Sequence, residues 1–170
     1  VRMPEIPSPR ELFLHELGDI LYVERELVEE TLPKLIGEVQ DAEFKKGLEK
    51  HLGETRQHVE NVEQVFRSLD EEPQAEPCLG FDGLRKEHDK LLEESSSSLV
   101  DLVDLDAAAR TENYEIAAYE ALRRMAKALG EEKAVGLLDE NLQQEKEALR
   151  EVEKIATRVS NESTKELASA

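Results

Sequence analysis

Residues 105–126 carry the pattern that most constrains how this chain can fold. Apolar side chains recur there at spacings of three and four residues, which predicts a helix with one buried face. Continued along the chain, the same face passes through Glu112, then Glu115 or Ile116, and then Tyr119. A buried carboxylate is unfavourable unless a charge or a metal compensates it. The rest of the chain is therefore expected to bring matching groups to this face.

Three further segments show the same period, so the sequence predicts an all-α protein. The expected long helices span about 9–39, 42–69, 100–129 and 131–159, and a short helix spans about 81–94. Ser8, Pro9 and Glu11 are typical of a helix start, Pro33 predicts a kink or break, and Gly130 is a typical C-terminal cap. After Ser160 the chain is expected to fray.

These segments predict a four-helix bundle of two antiparallel hairpins, with a short extra helix in the crossover. We expect a single helical domain over residues 1–170, with its core at about 8–159 and loose termini. This expectation rests on short connections within each hairpin and a longer, proline-containing connection, residues 70–80, between them.

Each long helix carries an acid on its apolar face, at Glu24, Glu54, Glu112 and Glu145. Around a first turn near residue 40, Glu24 and Glu54 differ in depth by about 3 Å at the helical rise. In the second hairpin, Glu115 and Glu145 are equally distant from residue 130, and Glu112 lies one turn further away. The four helices are thus expected to bring their acids to similar depths.

Two histidines of the second helix, His51 and His58, lie one heptad apart on its apolar face, with Glu54 adjoining both. Carboxylates with one or two imidazoles favour iron or manganese and allow zinc. We therefore predict a metal site, and two ions would compensate four buried acids better than one. The residues leave open whether His51 or His58 is the ligand. They also leave open whether Glu112, Glu115 or both of these acids bind the metal. Tyr119 is expected to hydrogen-bond a ligand or to act as a redox-active phenol.

Composition narrows the function classes. The net charge of −18 argues against a nucleic-acid partner or an anionic membrane surface. The single cysteine, Cys78, has no internal partner for a disulfide, and it is expected to be a buried thiol. The sequence has no stretch of about 18 apolar residues, so it predicts no membrane span. We therefore expect a cytoplasmic protein.

The chain resembles the bacterial YciE/YciF-type ferritin-like family over roughly residues 10–157. The similarity lies in ELGDILYVERELV (16–28), HLGETRQHVENVEQVF (51–66), ENYEIAAYEAL (112–122) and LLDENLQQEKEAL (137–149). The resemblance implies a ferritin-like bundle, dimerisation, a stress-associated role and a dinuclear centre presumed to hold iron. Glu112 and Tyr119 match the Glu-x6-Tyr element of that superfamily. The chain lacks the usual Glu-x-x-His element, and its fourth helix has no histidine, so a mononuclear centre stays open.

Two functions follow as hypotheses. The first is a carboxylate-bridged di-metal oxidoreductase that uses iron(II) with dioxygen or peroxide. The alternative is a non-enzymatic structural or stress-related helical homodimer, in which a metal is absent or only stabilises the fold.

Overall fold

The computed structural model describes residues 5–169, with side chains as far as residue 166, and this part of the chain is all-α. Its α-helices are α1 (Pro9–Glu26), α2 (Leu32–Glu38), α3 (Ala42–Ser68), α4 (Leu79–Glu94), α5 (Val100–Ala128) and α6 (Glu132–Ser169). A π-helical turn, Leu27–Thr31, joins α1 to α2, and a 3₁₀ turn, Ser97–Leu99, precedes α5. The predicted bundle with an extra crossover helix is confirmed.

The break predicted near Pro33 is the π-helical turn. There the amide of Leu32 donates to the carbonyl of Leu27, five residues earlier, where a regular helix would bond four residues apart. Pro33 has no amide hydrogen, so it cannot restore the regular pattern immediately afterwards. The first long helix therefore continues through α2 with a shifted register just beyond Glu24.

Four long helices enclose the core. The first, made of α1, the π turn and α2, packs on α3 and α5, and α6 packs on both α3 and α5. Asp41 caps α3 by accepting from the amide of Phe44 at 2.9 Å, and it also pairs with Arg158 of α6. Gly130, with φ of 77°, ends the α5 turn as predicted. No described helix is long and apolar enough to cross a membrane.

Helix α6 is longer than the sequence indicated. It continues to Ser169, where we expected fraying after Ser160. Arg158 pairs with Glu162 one turn later, and the Thr164 hydroxyl donates to the Ser160 carbonyl. Good helix formers such as Glu162 and Lys165 also outweigh the small polar residues between them.

The crossover between the hairpins is fixed against α1 at Gly18. The amide of Glu76 donates to the carbonyl of Gly18 at 2.9 Å. A Cβ at residue 18 would lie 2.7 Å from the backbone oxygen of Gln74 and 2.7 Å from Cγ of Glu76. Only glycine lets the crossover approach the helix this closely.

We therefore expect Gly18→Ala to destabilise the protein by about 1–3 kcal/mol, because the clash outweighs the better helix propensity of alanine. Chemical denaturation measures the effect. Gly53→Ala is the matched control, since a Cβ there meets nothing within 4 Å, and it should be neutral or stabilising by up to about 1 kcal/mol. Equal effects of the two substitutions would contradict a close approach at Gly18.

Candidate metal centre

Six carboxylate and imidazole side chains lie together inside the bundle, surrounded by its apolar core. Each is at most 6% exposed. They are Glu24 from α1, His51 and His58 from α3, Glu112 and Glu115 from α5, and Glu145 from α6. Charged residues are seldom fully buried unless they are paired or bind metal. All four long helices thus contribute to one buried polar centre.

The donor atoms form two clusters that share one residue. His51, Glu112, Glu115 and Glu145 each offer an atom within 4.8 Å of the others, and so do Glu24, His58 and Glu145. In the first cluster, Nε2 of His51 lies 3.2 Å from Glu112 and 3.7 Å from Glu145. In the second, Nδ1 of His58 lies 2.8 Å from Glu145 and 3.4 Å from Glu24. Glu145 therefore joins the two clusters.

Many of these atoms are close together without being hydrogen-bonded to one another. The buried atoms without a hydrogen-bond partner include Glu24 Oε2, His58 Nδ1, Glu112 Oε2, and both carboxylate oxygens of Glu115 and of Glu145. Buried polar atoms are normally satisfied, and unsatisfied ones are strongly unfavourable. The donor set, of four carboxylates and two imidazoles, suits iron or manganese and accommodates zinc. These residues therefore fit a metal centre of one or two ions.

Glu54 lies at the edge of this centre. Its side chain is 23% exposed, and its Oε2 lies 3.5 Å from Nδ1 of His51. His51 lowers the pKa of Glu54, and Lys50 lies 3.6 Å away on the solvent side. The structure thus places Glu54 behind His51, at the edge of the centre, and it places Glu24 beside His58 instead of beside Glu54.

Gln144 sets the orientation of His58. Nε2 of His58 lies 2.8 Å from Oε1 of Gln144, so Nε2 carries the hydrogen and Nδ1 faces Glu24 and Glu145. Burial alone would lower the pKa of His58, but the carboxylate of Glu24, the charge of Glu115 and the bond to Gln144 raise it to about 9. Without a metal, His58 is therefore protonated at neutral pH, and with a metal Nδ1 is the nitrogen available to bind it.

Burial also changes the pKa values of the acids in the centre. Desolvation and the neighbouring carboxylates raise the pKa of both Glu115 and Glu145. Burial would lower the pKa of His51, but Glu112 and Glu54 raise it. The metal-free centre therefore holds extra protons, which bound cations would displace.

Tyr119 and two asparagines form a hydrogen-bond network at the His58 side of the centre. The hydroxyl of Tyr119 donates to Oε1 of Glu24 and accepts from Nδ2 of Asn141 at 3.0 Å. Asn61 donates to Oδ1 of Asn141 at 2.8 Å. Burial and the charge of Glu24 raise the pKa of Tyr119, so it stays a phenol that can hold Glu24 in place.

The structure brings together six of the seven predicted ligands and places Glu54 beside them. Both histidines face the centre, each in its own cluster, although the sequence suggested that they compete for one position. Both Glu112 and Glu115 are also inside. Metal binding by these residues, and a catalytic role for Tyr119, stay predictions. Cys78 is a buried thiol, as expected.

Sequence reasoning missed the supporting residues Gln144, Asn61 and Asn141. Asn141 gave one signal, since it lies on the apolar face of the fourth helix, directly before Leu142 and four residues before Glu145. A further pair was also missed: Nε2 of His88 on α4 lies 2.7 Å from the buried Asp104 on α5. Only helix packing reveals these contacts.

Comparisons with known proteins agree with this fold. Residues 8–165 match the family described as a domain of unknown function, DUF892. Protein YciF of Escherichia coli (strain K12) is 32% identical over 138 residues, which are 80% of this chain and 82% of YciF. The crystal structure of the E. coli stress protein YciF has a TM-score of 0.84 at 29% identity, covering 91% of this chain and 98% of that one. YcfI from Rhodopseudomonas palustris, for which a structural role is suggested, has a TM-score of 0.85 at 34% identity, covering 90% and 98%.

Proposed function

The chain belongs to the DUF892 family, as its resemblance to YciF-type proteins predicted, and we propose that it is a carboxylate-bridged dinuclear metal protein with iron as the metal. The observation that carries this proposal is the position of Glu145. Both of its oxygens are buried without hydrogen-bond partners, and it belongs to both donor clusters. A carboxylate shared in this way is suited to bridge two cations.

The residues divide into two sets of ligands. His51 and Glu112 would hold one ion, and Glu24 and His58 would hold the other. Glu145 belongs to both clusters and would complete both sites, and Glu115 would add a ligand to the first site. Nδ1 of His58 is kept available because its Nε2 is engaged by Gln144.

A pair of iron(II) ions would supply two electrons to the oxidant and would become iron(III). Dioxygen would take up two protons and give hydrogen peroxide, whereas hydrogen peroxide would take up two protons and give water. Tyr119 would orient Glu24, and the surrounding apolar core would exclude bulk water. We further propose a role in a stress response, since E. coli YciF is described as a stress protein, and we propose a homodimer as the assembly.

The direct test is the metal content of untagged protein, followed by anaerobic iron(II) loading and exposure to air. We expect about two iron ions per chain and a new near-ultraviolet absorption band on oxidation. Zinc, or no metal uptake at all, would contradict the iron proposal.

A second candidate is a structural protein, which the role suggested for YcfI favours. In that case the protonated histidines would compensate the buried acids, and a metal would add little. The melting temperature separates the two functions, because ligands that bind only the folded state raise it. An unchanged melting temperature after iron addition would favour the structural role.

Gln144 offers a test of how the centre is oriented. Gln144→Ala should lower metal affinity by about 10–100-fold, because His58 loses the partner that fixes its ring. Competition with a chelator of known affinity measures this change. Gln143→Ala is the matched control, since the Gln143 side chain is exposed and donates to Asp139 at 3.5 Å. Equal affinities in the two variants would show that Gln144 does not support the centre.

A further inference from the structure

A cavity of about 60 Å³ adjoins one side of the centre. His51, Glu54 and Glu112 form part of its wall. Most of the remaining wall is apolar and comes from the π turn and from all helices from α2 to α6, with Leu27, Leu35, Leu48, Phe81, Ala108, Val152 and Ile155 among its residues. A cavity of about 10–15 Å³ is enough for one water, so this one has room for a small molecule.

The lining selects against polar occupants. Cavities walled by Leu, Ile and Phe stay dry and bind apolar probes such as xenon. Hydrogen peroxide would lose its hydrogen bonds to water on entering such a cavity, and an apolar wall offers no replacement for them. Dioxygen has no such hydrogen bonds to lose. The wall also contains five polar residues outside the centre, namely Thr31, Arg85, His88, Thr111 and Glu151. Arg85 and His88 are already paired, with Glu26 and Asp104, whereas the buried hydroxyl of Thr31 has no hydrogen-bond partner. A polar ligand could use that hydroxyl, and the experiment below tests this directly.

The centre is asymmetric with respect to this cavity. Its far side carries the polar network of Gln144, Tyr119 and Asn141. None of these three residues lines the cavity, whereas His51 and Glu112 do. A molecule in the cavity therefore meets the centre at the His51–Glu112 side.

We propose that this cavity delivers a small apolar molecule to the His51–Glu112 side of the centre, and that the oxidant is dioxygen and not peroxide. The second part rests on the dinuclear function proposed above. The first part concerns only the chain itself and is testable without any metal.

Gly47 provides a way to fill the cavity. It lines the wall on α3, one turn before His51 and on the same face, and a Cβ there meets nothing within 4 Å. Gly47→Leu should therefore extend into the cavity, and it should fold because leucine has the better helix propensity. Gly136→Leu is the matched control, as this glycine is exposed on α6, lies outside the wall and also has open space around it.

Xenon-129 NMR of the full chain, before and after chelator treatment, tests the cavity. The unaltered protein, Gly136→Leu and Thr31→Val should all shift the xenon resonance, and Gly47→Leu should not. Absence of a shift in the unaltered protein, or a loss of the shift in Thr31→Val, would overturn an apolar cavity.

Rapid mixing of the iron(II)-loaded protein with dioxygen or with hydrogen peroxide tests the oxidant. Gly47→Leu should slow oxidation by dioxygen about tenfold and slow oxidation by peroxide less. Equal slowing by both oxidants, or no slowing, would overturn the dioxygen assignment. Failure to bind iron would instead contradict the dinuclear function and leave the xenon result standing.

Discussion

Glu145→Gln should give a helical protein that binds neither metal ion. Glu145 belongs to both donor clusters, so its replacement removes a ligand from each. Loss of an outer hydrogen-bond partner alone lowers metal affinity by about 10–100-fold, and loss of a shared ligand should lower it further. Elemental analysis after iron loading measures the stoichiometry, and circular dichroism confirms that the helices remain.

Single-cluster variants sharpen this test. Glu24→Gln and Glu112→Gln each remove a ligand from one cluster only, so each should retain about one ion per chain. Glu140→Gln is the control, since Glu140 is exposed on the same helix as Glu145. Full occupancy in Glu145→Gln would show that the metal lies elsewhere.

The metal-free protein should lose stability as the pH rises from about 6.5 to about 9. His58 has a pKa raised from 6.5 to about 9 in the folded state. The stability that protonated His58 contributes is fully present below its pKa in the unfolded state, and it is lost as the pH rises through its pKa in the folded state. The raised pKa values of Glu115 and Glu145 act in the same direction, because an acid that keeps its proton in the folded state favours folding at low pH. For His58 alone the loss is roughly 3 kcal/mol.

Denaturant titrations of chelator-treated protein at several pH values measure this trend. His58→Gln should flatten it, whereas His15→Ala should not, because His15 is exposed on α1. Bound metal should reverse the trend, since the ligands must be deprotonated to bind it. Stability that rises with pH in the metal-free protein would contradict the protonation of this centre.

The positions of the helices were largely predictable from sequence. The signals that marked them are local, because each depends only on residues within one or two helical turns. They are the helical period of apolar residues, the helix start at Ser8–Pro9 and the helix end at Gly130. Pro33 is also a local signal, and it correctly predicted a break in the first long helix. It did not predict that the break would be a π turn. The predicted end of α6 was wrong. The small polar residues after Ser160 suggested fraying, whereas pairs such as Arg158–Glu162 continue the helix.

The sequence by itself indicated most of the buried acids of the centre, because a carboxylate on an apolar helical face is visible in one dimension. It thus identified Glu24, Glu112 and Glu145 and the heptad of His51 and His58. It also included Glu54, which is partly exposed in the structure, and it left open whether Glu112 or Glu115 is the ligand. Only the tertiary structure decided that both histidines face the centre, that Gln144 fixes one of them, and that an apolar cavity adjoins the other. Those features depend on the rotation and depth of one helix against another, which packing across the whole bundle sets and which no local pattern of residues encodes.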